Sequence, residues 1–305
     1  MNRVLSSFLA VLLLVLLLGA NLYVLRDLQD IASPPFEPAE SQSPPFETSA
    51  EVVRIGVISR FAPNIIFSGY QPIMDYLNQN SDRTYELRLS TSYQDAVDQL
   101  RSGEVAASFL GAWIYSHLAN NEDLIPLAAP RNKDGQSEFR AILVTGPDSR
   151  ITQLFNLKGA RVALPSGQSW SGNWLQVSGL ASVGLSVADL DSLHHFDHHQ
   201  TVVWQVLRGH FDAGVVKASV ARRYVREGLR PVLPSPPIPG PPLVGFRNGD
   251  PEILDDIRSL LLALDPNVPG DKVVLESWTP EFSFGFIPVD EATYMEAFGQ
   301  LEAGP

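Results

Sequence analysis

Residues 161–180 read RVALPSGQSWSGNWLQVSGL and combine the signals of a strand, a polar turn and a helix. The apolar run Arg161–Leu164 predicts a buried strand, and Asn173–Leu180 predicts a helix. Between them, PSGQSWSG (165–172) places small hydroxyl side chains and backbone N–H groups at a positive helix end. Such a turn suits an oxyanion with several acceptor oxygens, although plain N-capping explains the same residues without a ligand.

The same alternation of strands and helices extends towards the N-terminus. Val52–Ile58 and Tyr85–Leu89 have strand patterns, and Pro72 is suited to the first position of a helix. Ser92–Asp95 resembles a capping box that opens a further helix, which ends near Gly103. These repeated units predict an α/β protein with parallel sheets.

Two sets of these units predict two lobes. We expect residues 52–144 and 243–305 to form the first lobe and residues 145–242 to form the second. The proline-rich segment Pro234–Pro242 would carry the chain back to the first lobe. In folds of this kind, ligands bind at the carboxyl ends of the strands, where helix N-termini converge.

The N-terminal part of the chain has a different composition. Val4–Leu25 is almost wholly apolar and long enough to span a bilayer, which takes about 20 residues. Residues 1–27 are therefore expected to form a hydrophobic helix that acts as a signal peptide or an uncleaved signal anchor, and the length favours the anchor. Residues 28–51 are rich in proline, serine and acids, which is typical of an extended linker. Both alternatives place the remaining chain in the periplasm or on the outer face of the inner membrane.

Composition excludes several other classes of function. The formal net charge of −12 argues against a nucleic-acid partner, because phosphate backbones recruit lysine and arginine. An anionic small molecule is still possible, since backbone N–H groups can bind it whatever the net charge. The chain has no cysteine, so disulfides, cysteine-based metal sites and lipid attachment at an N-terminal cysteine are ruled out.

Two motifs invite other interpretations. Around Ser169 the order is G-x-S-x-S-G, which lacks the second glycine of a hydrolase nucleophile elbow, so we do not expect an enzyme. The cluster His194–His199 has i, i+4 histidine pairs that would suit a metal in a helix. We instead expect a strand passing into a helix, which spreads these side chains into a solvated polar turn. One of these histidines touching an anion remains an open possibility.

Read in order, six segments resemble the phosphonate/phosphite-binding (PhnD-like) proteins of ABC importers, a branch of the type 2 periplasmic binding proteins. They are RIGVISRFAP (54–63), YQPIMDYL (70–77), TSYQDAVDQLRSGEVAASFLGAWIY (91–115), SRITQLFNLKGARVALPSGQSWSG (149–172), HHQTVVWQVLRGHFDAG (198–214) and PSPPIPGPPLVG (234–245). The resemblance implies a two-lobed Venus-flytrap fold that closes on its ligand by hinge bending. It also implies an ABC permease as partner. We expect no cofactor, no metal and a monomer.

The resemblance assigns a set of residues to the ligand. A Ser-Thr-Ser-Gly-like turn that binds phosphonate oxygens in relatives corresponds here to Ser169, Trp170, Ser171 and Gly172. Tyr93 matches a tyrosine that begins a helix of the first lobe, and His199 matches a histidine of a G-H-E-T-like turn. The other assigned positions are Phe139, where relatives have a tyrosine, and Ser219, where binders of aminoalkyl phosphonates have an acid.

The departures from the family pattern point to a ligand that lacks an amine. Neither Ser219 nor Pro241, near the second acidic position, carries a carboxylate, and a buried ammonium without such a partner is costly. The resemblance therefore favours phosphite, phosphate or a short alkylphosphonate. An alternative is a membrane-tethered sensor of the same fold, which neighbouring genes for a kinase or cyclase rather than a permease would favour.

Overall fold

The computed structural model describes residues 52–119 and 122–303. The hydrophobic segment 1–27 and the linker 28–51 lie outside the described residues, so what we expect of them stays a prediction. In the part that is described, we find no helix with the length and apolar composition needed to cross a bilayer.

The helices and strands alternate along most of the described chain. The helices are α1 (Pro63–Asn80), α2 (Tyr93–Arg101), α3 (Ala112–Ala119), α4 (Trp170–Trp174), α5 (His199–Leu207), α6 (Ala218–Arg223), α7 (Pro251–Ala263), α8 (Pro269–Glu276) and α9 (Glu291–Ala303). The strands are β1 (Val52–Val57), β2 (Thr84–Leu89), β3 (Ala107–Phe109), β4 (Leu124–Pro130), β5 (Glu138–Phe139), β6 (Ala141–Thr145), β7 (Arg161–Pro165), β8 (Ser192–Phe196), β9 (Ala213–Lys217), β10 (Arg230–Pro234), β11 (Ile238–Pro239), β12 (Leu243–Phe246) and β13 (Phe286–Ile287).

Among the described residues, the strands form two main sheets, one in each lobe. The first sheet has the order β13-β4-β12-β3-β1-β2, and the second has the order β10-β6-β9-β7-β8. Ile55 and Val57 of β1 are fully buried, as are Ile73 and Leu77 of α1, which explains the continuous apolar run and the helical stripe in their sequences. The predicted two-lobed α/β architecture is therefore confirmed.

The expectation of parallel sheets is only partly correct. β1 pairs in parallel with β2 and β3, and β7 pairs in parallel with β8 and β9. However, β12 lies antiparallel between β3 and β4, and β6 lies antiparallel between β9 and β10. β6 and β12 each follow a passage between the lobes, where strand direction no longer follows from a strand–helix–strand repeat. β13 also pairs antiparallel, with β4.

The expected lobe boundary after Val144 requires correction by one strand. β6 (Ala141–Thr145) pairs inside the second sheet, so residues 141–144 belong to the second lobe. The passage between the lobes lies earlier, where β5 pairs antiparallel with β11 to form a two-stranded ribbon. An apolar run predicts a strand but carries no information about which sheet receives it.

Two helices also differ from their predicted bounds. α1 begins at Pro63 and continues through Pro72, so Pro72 is inside the helix rather than at its start. The helix predicted at 173–180 begins at Trp170, and its backbone widens into a π-helical turn at Leu175–Gly179. The predicted N-cap at Ser92 is confirmed, because its hydroxyl accepts a hydrogen bond from the Asp95 N–H at 3.0 Å.

Candidate ligand-binding site

One cavity of about 40 Å³ lies between the two lobes, at the carboxyl ends of strands from both sheets. Its lining consists of Ile58, Arg60, Tyr93, Gly111, Ala112, Phe139, Ser169, Trp170, Ser171, His199, Lys217 and Pro241. Since one water molecule needs roughly 10–15 Å³ of such a cavity, the space accommodates about three water-sized groups. That size matches a small oxyanion.

Helix N-termini from both lobes converge on the cavity. Tyr93 and Ala112 are the first residues of α2 and α3 in the first lobe, while Trp170 and His199 begin α4 and α5 in the second. The first N–H groups of a helix have no partner within the helix, and its N-terminus carries a partial positive charge. Four such ends around one small space favour a negatively charged occupant.

The turn before α4 is fixed by its own hydrogen bonds. The Ser169 hydroxyl accepts from the Gly172 N–H at 3.0 Å, and the Asn173 side-chain amide donates to the Ser169 carbonyl at 2.9 Å. A Cβ on Gly172 would lie 2.2 Å from the carbonyl oxygen of Ser166, so the turn tolerates only glycine at that position. Ser171 lines the cavity and is 2% exposed. Both serine hydroxyls keep a proton to donate to a ligand.

The structure brings most of the predicted residues together. Ser169, Trp170, Ser171, Tyr93, His199 and Phe139 all line the cavity, as does Pro241. Gly172 does not line it and serves instead to shape the turn. Ser219, on α6, does not line it either, and Lys217 two residues earlier takes that place on the wall.

Trp170 contacts the opposite lobe with its indole. The ring packs edge-on against Trp113 of α3, with centroids 5.9 Å apart and an interplanar angle of 86°. Trp113 in turn packs against Phe298 of α9. The large side chain that replaces a threonine of the family pattern is therefore part of an aromatic contact between the lobes.

His199 and Tyr93 are both hydrogen-bond donors at neutral pH. Burial is the largest cause that lowers the pKa of His199, the nearby cations Arg60 and Lys217 add to it, and the resulting pKa is about 3. Its Nδ1 accepts from the Lys217 backbone N–H at 3.3 Å, so the proton of the neutral ring is assigned to Nε2. Burial raises the pKa of Tyr93, which therefore keeps its hydroxyl proton.

A largely buried ionic cluster lies beside the cavity and contributes two of its lining residues, Arg60 and Lys217. Arg60 Nη2 lies 2.8 Å from Glu281 Oε2, and Lys217 Nζ lies 2.7 Å from Glu281 Oε1. Burial alone would raise the pKa of Glu281, but Arg60 and Lys217 together hold it at about 2. Two cations surround one carboxylate, so the cluster carries one net positive charge beside the cavity.

Arg60 has a donor to spare. Its guanidinium also donates to the Tyr70 hydroxyl at 2.7 Å, yet its Nε is buried without a hydrogen-bond partner among the described residues. The Glu281 carboxylate keeps the pKa of Arg60 above its usual range although burial opposes this. An unpaired buried N–H costs stability unless something accepts from it, so a lining arginine with a free Nε indicates an anion.

Sequence reasoning did not identify this cluster. Arg60, Lys217 and Glu281 are separated by up to 221 positions, and each stands alone in its sequence neighbourhood. The available signal was the position of Arg60 two residues after the predicted strand 52–58, since binding residues collect at the carboxyl ends of strands in α/β folds. Lys217 ends β9 in the same way. Glu281, in the segment between α8 and β13, gave no comparable signal.

The histidines 194–199 separate as the strand-to-helix prediction implies. His195 Nδ1 donates to the Pro165 carbonyl at 2.7 Å, His198 Nδ1 donates to the Ser59 carbonyl at 3.1 Å, and the His194 ring packs on Phe196. Within residues 52–119 and 122–303, His, Asp and Glu side chains form no group suited to a metal ion.

The two lobes contact each other directly across the site. Lys217 and His198 of the second lobe bond to Glu281 and Ser59 of the first, beside the Trp113–Trp170 contact. A two-lobed α/β fold with helix N-termini from both lobes around one cavity defines a solute-binding protein of the type 2 periplasmic class.

Comparison with known proteins gives the family. Residues 55–294 match the family model for ABC transporter, phosphonate, periplasmic substrate-binding protein, and the chain belongs to this family, whose members are binding proteins rather than enzymes. The phosphate-import protein PhnD of Mycolicibacterium smegmatis is 23% identical over 279 residues, covering 83% of this chain and 86% of that protein.

Solved structures show the same fold. A binding protein component of an ABC phosphonate transporter from Pseudomonas aeruginosa has a TM-score of 0.72 at 19% identity, covering 83% of this chain and 86% of the other. PhnD1 from Prochlorococcus marinus, in complex with methylphosphonate, has a TM-score of 0.71 at 17% identity, covering 82% and 96%.

Proposed function

We propose that this protein captures a small amine-free oxyanion, namely phosphate, phosphite or a short alkylphosphonate, and delivers it as a monomer to an ABC permease outside the cytoplasm. The observation that carries the proposal is the convergence of donors on one small cavity. Ser169 and Ser171 supply hydroxyl donors, and Arg60 supplies a positive charge. Tyr93 supplies a neutral O–H donor and His199 a neutral N–H donor.

The electrostatics of the site support an anion despite the acidic chain. The formal net charge is −12, but the cavity faces a cluster with one net positive charge and four helix N-termini. These groups are buried, so surface charges screened by salt affect them little. Hydrogen bonds from fixed donors to an ionised acceptor are about twice as strong as neutral ones.

The same cluster supports a ligand that has no amine. No Asp or Glu is among the described residues that line the cavity, and both oxygens of Glu281, which contacts the lining residues Arg60 and Lys217, already bind cations. An incoming ammonium would therefore be buried beside Lys217 and Arg60 without a free carboxylate. The relatives named for phosphonate, phosphate import and methylphosphonate fit a ligand of this chemistry.

Isothermal titration calorimetry of the full-length protein tests the proposal. We expect phosphate, phosphite or methylphosphonate to bind with micromolar or better affinity, and 2-aminoethylphosphonate to bind at least tenfold more weakly than methylphosphonate. Sulfate serves as the matched oxyanion of different chemistry. Failure of all three phosphorus oxyanions to bind would overturn the proposed ligand class.

A further inference from the structure

The ammonium of Lys217 lies in a small cage built by the first lobe and the interlobe ribbon. Its Nζ is 2.7 Å from Glu281 Oε1 and 4.9 Å from the centre of the Phe139 ring. A carboxylate and an aromatic face both attract ammonium ions strongly. The cage is therefore an ammonium-binding subsite that the protein fills with its own side chain.

The position of Lys217 places this subsite next to the oxyanion donors. Lys217 lines the same cavity as Ser169 and Ser171 and is 8% exposed. Its backbone N–H is held by His199 Nδ1 at the end of β9, so the four-carbon stem starts from a fixed point and crosses the wall to reach Glu281. The stem and its ammonium occupy the space beside Glu281 that a ligand amine would need.

We propose that Lys217 is a specificity residue whose ammonium occupies the place of a ligand amine, so that oxyanions carrying an aminoalkyl group are excluded. This inference rests on the proposed function and adds the residue that enforces it. An aminoalkyl ligand would have to displace Lys217 from Glu281 or be buried beside it as a second cation. Either event leaves one ammonium desolvated without a carboxylate, which is strongly unfavourable.

The inference predicts a gain of binding when the lysine is removed. Lys217→Ala removes the lysine stem, leaves its space empty and frees Glu281 Oε1, while Arg60 still binds Oε2 at 2.8 Å. The vacated cage then offers a carboxylate and the Phe139 ring to the amine of 2-aminoethylphosphonate. We expect the variant to bind this ligand at least tenfold more tightly than the wild type does. Ethylphosphonate has the same carbon chain without the amine, and the variant should bind it more weakly than the wild type does.

Two matched variants separate charge from space. Lys217→Met removes the charge but keeps most of the stem, so we expect no gain for 2-aminoethylphosphonate. The double variant Lys217→Ala/Glu281→Gln has the space but lacks the carboxylate, so the gain should disappear. In Lys217→Ala alone, added ethylammonium should fill the cage and raise the melting temperature, and it should have no effect on the double variant.

The outcomes distinguish this inference from the proposed function. If wild type binds ethylphosphonate but Lys217→Ala shows neither the gain nor the rescue by ethylammonium, the lysine has no such role and the oxyanion site stands. If wild type binds 2-aminoethylphosphonate as tightly as ethylphosphonate, the inference fails without any variant. If wild type binds no phosphorus oxyanion, the proposed function itself fails.

Discussion

The site has two unlike regions, the hydroxyl turn at 166–172 and the ionic cluster of Arg60, Lys217 and Glu281. The turn is local, since its residues bond to one another across a few positions and it belongs wholly to the second lobe. The cluster is assembled from distant segments, with Lys217 in one lobe and Glu281 in the other. The turn therefore provides preformed donors, whereas the cluster provides charge that is complete only when the lobes close.

The largest expected effect comes from breaking the cluster at its lining cation. Arg60→Gln removes the charge beside the cavity and leaves Glu281 with Lys217 alone, so we expect oxyanion affinity to fall about a hundredfold. Loss of one partner of a buried ion pair should also lower the free energy of unfolding by about 3–5 kcal/mol. Calorimetry and urea unfolding measure the two effects. Arg54→Gln, which removes an exposed pair with Glu86, is the control and should change neither appreciably.

The next effect comes from breaking the turn without touching any charge. Gly172→Ala places a methyl group against the Ser166 carbonyl oxygen, and we expect a loss of about 2–3 kcal/mol in the free energy of unfolding together with weaker binding. Gly270→Ala, on α8 with open space around it, is the matched control and should be neutral or slightly stabilising. Equal stability of the two variants would show that the turn is not held in this conformation.

A pH titration sharpens the contribution of His199. The pKa of His199 is about 3 in the folded protein against an ordinary value of 6.5. As the pH falls below 6.5, this histidine therefore binds a proton in the unfolded chain but stays neutral in the folded protein. Stability should therefore decline from pH 6.5 towards 4.5 by roughly 2 kcal/mol from this residue. Below pH 4.5, Glu281, with a folded pKa of about 2, adds a further loss. Urea unfolding at pH 7.5, 6 and 4.5 should show a shallower decline in His199→Gln, most clearly between pH 6 and 4.5.

The smallest effect comes from trimming one donor of the turn. Ser171→Ala removes a hydroxyl that lines the cavity while the hydrogen bonds of Ser169 persist, so we expect a tenfold loss of oxyanion affinity, about 1.4 kcal/mol. Ser178→Ala, a partly buried serine outside the cavity, is the control. Unchanged calorimetric affinity in Ser171→Ala would remove this residue from the site.

Local patterns were sufficient for much of the fold and for the turn. The strand at 161–164, the N-cap at Ser92 and the donors of 169–171 follow from apolar runs and capping chemistry, both of which act over a few residues. Tyr93 and His199 came from resemblance to the family, and the structure places both on the cavity wall. The prediction that residues 141–144 belong to the first lobe was wrong, because strand pairing depends on residues that are far apart in the sequence.

The sequence by itself therefore determined the α/β architecture and the presence of a donor-rich turn, since both depend on periodicity and on hydrogen bonds between near neighbours. Only the tertiary structure decided that Arg60, Lys217 and Glu281 form one cluster, because their attraction becomes strong only after folding removes them from water and brings the lobes together. That burial sets the charge of the cavity and directs the Lys217 ammonium to Glu281.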